Sequence, residues 1–144
     1  MAVTILLKKQ NQYWNNRMRF LSKSHDGGKD SGVTGYFLIE IKSLFSIVLL
    51  KFNKGTRDAY HNHAFNALTF WLKGNVYEHF LNGPTKTWKA GNVKYTSKSD
   101  FHKVEALEKS WALCFRGPWE KTWNEHKNNK LITLKSGRVV IKEE

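Results

Sequence analysis

Gly55-Thr-Arg-Asp-Ala-Tyr-His61-Asn-His63 is the stretch on which the reading of this 144-residue chain turns. On a β-strand, side chains two apart point to the same face. His61 and His63 therefore stand side by side, as two adjacent ligands of one metal ion would. Imidazole serves Fe, Zn, Ni and Cu alike, so the pair implies a metal without naming it. A third histidine, His102, follows Gly91 further along the chain.

Around this stretch, short apolar runs alternate with turn signals. Tyr36–Ile41 and Leu44–Phe52 read as two strands joined at Lys42-Ser43, by a bulge or a tight connection. Ala59–Leu72 is apolar and closes at Lys73-Gly74; Val76–Leu81 ends at the hairpin signal Asn82-Gly83-Pro84. Thr85–Lys89, Asn92–Thr96, His102–Glu105 and Trp111–Arg116 continue the pattern, and Leu131–Leu134 and Arg138–Lys142 flank a hairpin at Ser136-Gly137. No long segment of helical period occurs after residue 24. Many short strands at this spacing predict an all-β sandwich or barrel. Ahead of them, Asn15 to Leu21 suits a short helix or an edge strand beside the main sheet. His25-Asp-Gly-Gly-Lys-Asp-Ser-Gly32 reads as a turn or mobile loop. Residues 1–35 are thus expected to form an N-terminal extension and loop, and residues 36–144 the single β-domain.

Composition narrows the class. The abundance of Trp, Tyr and Phe argues against disorder, and the length suffices to bury a core. The single cysteine, Cys114, has no second cysteine to pair with, which favours a reducing compartment. The apolar stretch Ala2–Leu7 is short for a signal core, and Lys42 and Lys51 bracket the most apolar run, so neither a leader nor a membrane span is expected. A cytoplasmic protein is the expectation. The net charge of +12 is scattered through every segment rather than gathered in one block. It suits a solvated surface or an anionic ligand; nucleic-acid binding rests on electrostatics alone and is not the favoured reading.

The glycine and histidine spacing resembles the cupin superfamily, small jelly-roll β-barrels that often hold a metal. Its first motif runs glycine, five residues, His-x-His, three or four residues, glutamate, six residues, glycine. The chain gives Gly55, His61-Asn-His63, Ala67 and Gly74 at those offsets, with alanine in the place of the glutamate. Of the second motif, Gly91 and His102 remain; Ser97, Ser99 and Ala106 stand where proline, glycine and asparagine would be. The resemblance covers roughly Tyr36 to Ile141. The chain also resembles a group of small cupin-like proteins of bacteria and phages. It shares with them Leu72-Lys-Gly74-Asn-Val-Tyr-Glu78 and Trp111-Ala-Leu113-Cys-Phe-Arg-Gly117-Pro118-Trp-Glu-Lys-Thr-Trp123. The implied fold is a cupin-type jelly-roll β-barrel, and the implied assembly a homodimer.

If His61 and His63 face the interior, alternation sends Phe65, Ala67, Thr69 and Trp71 inward with them and Asn66 outward. The resemblance then implies a three-histidine site, His61, His63 and His102. Three neutral nitrogens leave a divalent ion its full charge and open positions, as in the three-histidine iron sites of cupin dioxygenases. Fe(II) is the favoured ion, with Zn, Ni or Mn as alternatives, and the expected ligand is a small anionic molecule. The competing reading is a metal-independent module that binds or sequesters a nucleotide or sugar.

The remaining candidates have two readings each. Glu78 is a fourth ligand, a base or, by preference, a plain charge on a hairpin face, because Tyr77 and His79 compete for the inward side. Tyr95 either donates to a substrate or sits at the barrel rim. Arg57 and Arg116 could clamp an anion, with Trp71 on the ligand-binding wall. In Trp111–Arg116, alternation puts either Trp111, Leu113 and Phe115 or Ala112, Cys114 and Arg116 inside; burial preference favours the first set. Cys114 is expected to be a buried, inert thiol, and His25, His79 and His126 to be surface or turn residues. Trp119 and Trp123 are expected to close one end of the barrel.

Overall fold

The computed structural model describes residues 18–56, 59–135 and 138–144. Among these the chain forms strands and turns and no helix. The strands are β1 (Met18–His25), β2 (Val33–Ile41), β3 (Phe45–Phe52), β4 (Gly55–Thr56), β5 (Tyr60–His61), β6 (Ala67–Lys73) and β7 (Asn75–Phe80). They continue as β8 (Thr85–Lys89), β9 (Val93–Thr96), β10 (His102–Ala106), β11 (Ser110–Arg116), β12 (Thr122–Lys127), β13 (Lys130–Lys135) and β14 (Val139–Glu143). The all-β expectation holds.

Two antiparallel sheets result. The first has the order β1-β2-β3-β11-β6-β9; the second runs β14-β13-β12-β5-β10-β7-β8, with β4 joined to β10. Their inner faces share one core, to which the first sheet gives Phe37, Val48, Leu50 and Trp71 and the second Val76 and Ala106. Of the two readings of Asn15–Leu21, the edge strand holds for its described part, since β1 pairs with β2 from Met18 opposite Ile41 onward. β1 and the start of β2 thus lie in the first sheet, joined by the turn over residues 26–32.

Local backbone demands explain the motif glycines. Gly55, Gly74 and Gly91 all adopt positive φ, at 132°, 98° and 89°, where a β-carbon is strained. At Gly74, between β6 and β7, a β-carbon would also lie 2.1 Å from Ser110 Oγ. Thr122–Lys127 carries no clear strand pattern in the sequence, yet forms β12. It is set by its hairpin with β13, whose turn residues Asn128 and Asn129 both have positive φ (53° and 59°), the demand of a type I′ turn.

Trp111–Arg116 reverses the expectation from burial preference. Ala112, Cys114 and Arg116 are the buried set, whereas Phe115 is 40% exposed and Trp111 and Leu113 are only half-buried. The inner face thus receives an arginine and the outer face the large apolar residues.

Candidate metal centre

His61 belongs to β5, the strand between β12 and β10, and lies directly opposite His102. Pairing ends there. His63 follows in the segment by which the chain leaves the second sheet and enters the first at Ala67. That crossing turns His63 back toward its neighbours. The ring centroids of the three histidines form a near-equilateral triangle, 4.9 Å for His61–His63, 5.0 Å for His61–His102 and 5.0 Å for His63–His102. One ligand atom from each lies within 4.8 Å of the others. Nitrogens bound to one ion at ~2.0–2.1 Å sit roughly 3–3.5 Å apart, a separation within reach of small imidazole rotations.

The protonation pattern suits a metal. His61 Nδ1–H donates to the Ala59 carbonyl at 3.2 Å, and His102 Nδ1–H donates to Glu78 Oε2 at 2.5 Å. Both bonds select the tautomer whose Nε2 carries the lone pair. His102 Nε2 and His63 Nδ1 are buried and have no hydrogen-bond partner among the described residues. Such orphaned nitrogens are costly unless something accepts their lone pairs. Burial, reinforced by the charges of His61 and His102, pushes His63 well below its usual 6.5. His102 is also lowered, chiefly by burial, against the opposing hydrogen bond from Glu78. His63 and His102 are therefore held neutral, the state that coordinates.

Behind His102 lies a buried polar knot. Glu78, fully buried on β7, accepts from His102 Nδ1, from Lys94 Nζ on β9 and from Trp88 Nε1 at 3.1 Å on β8. Because β7 and β9 belong to different sheets, the knot also pins one sheet to the other. Burial works against the charge on Glu78, but the hydrogen bond from His102 and the Lys94 ammonium outweigh it and hold the carboxyl at about 2. Burial lowers Lys94 as well, opposed by Glu78. The preference for Glu78 as a hairpin-face charge is corrected: Tyr77 points outward, and His79 bonds on the flank to Glu105 and Thr85. Nor does Glu78 stand on the cavity wall; it is set behind a histidine that does.

The histidines open onto a cavity of about 400 Å³ between the sheets. Phe37, Phe52, Phe65 and Trp71 give it an aromatic lining, and Ala67 and Thr69 face it as the alternation from His63 predicts. Asn66 points outward, and its Oδ1 accepts from the Lys98 amide. The place of the missing glutamate is therefore on the cavity wall. Trp119 lines the cavity with Trp123, their rings 5.8 Å apart.

Arg116 reaches this cavity, buried, and donates from both terminal nitrogens to Asp26, at 2.7 and 3.2 Å. Its pKa is raised: burial opposes the charge, and Asp26 more than restores it. Tyr95, by contrast, is 65% exposed on the outer face of β9, so its hydroxyl does not serve the cavity. Arg57 lies outside the described residues. Cys114 is buried, as expected, but it faces the cavity and accepts from Thr69 Oγ1 at 3.5 Å. Sequence reasoning passed over Lys94, Trp88 and Asp26. Lys94 lies between Val93 and Tyr95, where alternation alone leaves its direction undecided, and Asp26 occupies a glycine-rich turn with no sign of a partner ninety residues away.

No known protein family and no curated protein matches the sequence. Solved structures do match in fold. A sugar phosphate isomerase of the cupin superfamily from Silicibacter pomeroyi superposes with TM-score 0.58 at 11% identity, over 88% of this chain and 87% of that one. An RmlC-like cupin from Shewanella frigidimarina gives 0.55 at 17% identity, over 68% and 84%. Ectoine synthase from P. lautus gives 0.53 at 14% identity, over 63% and 67%.

Proposed function

From a chain with the cupin fold, we propose a small metal-binding protein in which His61, His63 and His102 hold one divalent ion at the base of a ligand cavity. The observation that carries this reading is the convergence of three histidines, with the tautomers of His61 and His102 and the buried, unpartnered nitrogens of His63 and His102 suiting one shared cation. Fe(II) is our first assignment, on the resemblance to three-histidine cupin sites; the donor set alone also suits Zn or Ni. With neutral ligands only, the ion would keep its full charge, polarise an oxygen donor and offer open positions for oxygenase-type chemistry.

The surrounding residues define what enters. Arg116 and Lys94 are each matched to a carboxylate, so the ion would supply much of the attraction for an anionic ligand. Phe52, Phe65 and Trp71 present apolar walls to the ligand's body. Glu78 is a positioning residue: it holds the Nδ1 proton of His102 and fixes the ring, as acceptors behind metal-bound histidines do. Purified protein titrated with Fe(II), Zn(II) or Ni(II) should take up stoichiometric metal, and the His61→Ala/His63→Ala variant none. Lack of stoichiometric uptake by the wild type would sink the proposal.

Two observations favour a second reading, a metal-independent module for a sugar or nucleotide. Ala67 stands on the cavity wall where a carboxylate would complete the site, and one structural neighbour is a sugar phosphate isomerase. Thermal stabilisation by sugar phosphates or nucleotides that is indifferent to chelator would select this reading.

A further inference from the structure

Among the described residues, the cationic side chains that line the cavity are Arg19, Lys42, Lys94, Arg116 and Arg138, and the wall holds one carboxylate, Asp26. Three of the cations are matched from behind the wall. Glu40 on β2, Glu78 on β7 and Glu125 on β12 pair with Arg19, Lys94 and Arg138, and their side chains are only 1%, 0% and 9% exposed. Asp26 differs on each count. It belongs to the turn between β1 and β2, its side chain is 28% exposed, and it meets Arg116 at the cavity itself. Because Asp26 lies outside both strands, a movement of its side chain breaks no strand pairing. Arg116 is fixed where it stands. Its guanidinium carbon lies 4.7 Å from the centre of the Phe65 ring and 5.8 Å from that of Phe37, contacts that hold a guanidinium against aromatic faces. Its two terminal nitrogens donate to the two Asp26 oxygens, the geometry in which an arginine fork reads any carboxylate.

We propose that Asp26 is a resident competitor for the ligand: a small molecule with a terminal carboxylate binds by taking its place on Arg116. This exchange presupposes the ligand cavity of the proposed function; the metal plays no part in it. Swapping one carboxylate for another keeps the buried Arg116 charge paired. A neutral ligand in the fork would strand that charge, and stranding a buried charge is costly. The pair thus selects for a carboxylate at one end of the ligand, while Phe65 beside the fork and the other aromatic walls meet its apolar body. Occupancy by Asp26 also weakens binding to the wild type, in proportion to the fraction of molecules whose fork it fills.

The full chain, held metal-free by chelator, can be tested with phenylacetate as the probe and phenylacetamide as its neutral isostere. Asp26→Asn removes the competing charge and keeps the shape of the side chain. Its thermal midpoint should lie below that of the wild type, and should rise at phenylacetate concentrations at least ~10-fold lower than the wild type requires. Phenylacetamide should not raise it. Asp26→Asn/Arg116→Gln, which strands no charge, should no longer respond to phenylacetate. Should Asp26→Asn fail to fold, hydrogen–deuterium exchange of the wild type decides: saturating phenylacetate should speed exchange at the amides of the 26–32 turn, released from its anchor. Equal responses of wild type and Asp26→Asn, or equal responses to acid and amide, would overturn the proposal. So would a stronger response to inorganic phosphate, a response that survives Arg116→Gln, or a turn whose exchange is unchanged at saturation. With chelator present throughout, failure here leaves metal uptake by the histidines as a separate question.

Discussion

The inner and outer faces of the first sheet are built from the same strands, and they divide the residue types in an unusual way. Along β11, β6 and β9 the inner positions include Arg116, Thr69 and Lys94, while the outer ones are Phe115, Leu68 and Tyr95. A half-buried antiparallel sheet ordinarily does the reverse. Charges on the inner side are tolerable because each is matched: Arg116 by Asp26, Lys94 by Glu78, and, in reverse, Glu40 by Arg19 at 2.9 Å. Buried pairs of this kind contribute little net stability but are costly to break. The outer face faces no such demand, and there Phe115, Leu68 and Tyr95 stand partly exposed.

Substitutions that uncouple the inner pairs should have the largest effects. Asp26→Ala leaves the buried Arg116 cation without its bidentate acceptor; chemical denaturation should show a loss of about 3 kcal/mol. A loss under about 1 kcal/mol would mean that the inner face tolerates unmatched charge after all. The double variant Glu78→Gln/Lys94→Met removes the carboxylate and the ammonium of the knot together, so no charge is stranded. It should fold, and bind metal about 10- to 100-fold more weakly by isothermal titration. Unaltered affinity would remove Glu78 from the positioning role.

Acid should act on the inner face in a definite direction. The folded pKa of Glu78, about 2, lies below its ordinary 4.5, so its stabilisation is complete above 4.5 and drains away as pH falls toward 2. His63 is held well below 6.5, so the unfolded chain takes up that proton first, and stability begins to fall as pH drops through 6.5. The thermal midpoint of the metal-free protein should decline continuously from pH ~7 to ~4; a flat profile would mean that these groups titrate normally. The smallest effect belongs to the outer face. Tyr95→Glu should change the stability of the chain by only about 0.5 kcal/mol, readable as the denaturation midpoint.

Much of the fold was legible because its determinants are local. Turn signals at Gly74, Asn82-Gly83 and Gly91 bound the strands, and the period of two placed Phe65, Ala67, Thr69 and Trp71 on one side with the histidines. β12 was missed because its strand character comes from its partners and not from its own residues. Within the site, the histidines were legible from spacing, but Glu78 and Trp111–Arg116 were assigned to the wrong sides. Burial preference supposes that a charged side chain stays outside, and Arg116, buried and paired with Asp26, violates that supposition.

By itself, the sequence determined which residues share a face and where the chain must turn. Both follow from backbone geometry within a few residues: side-chain alternation along a strand and positive φ at glycine. Only the tertiary structure decided which face is inside, because alternation is symmetric and a sheet's partner breaks the tie. It also decided that His102 stands opposite His61, that Glu78 meets Lys94 across the two sheets, and that Arg116 finds Asp26. Those meetings depend on strand order, which no short window of sequence contains.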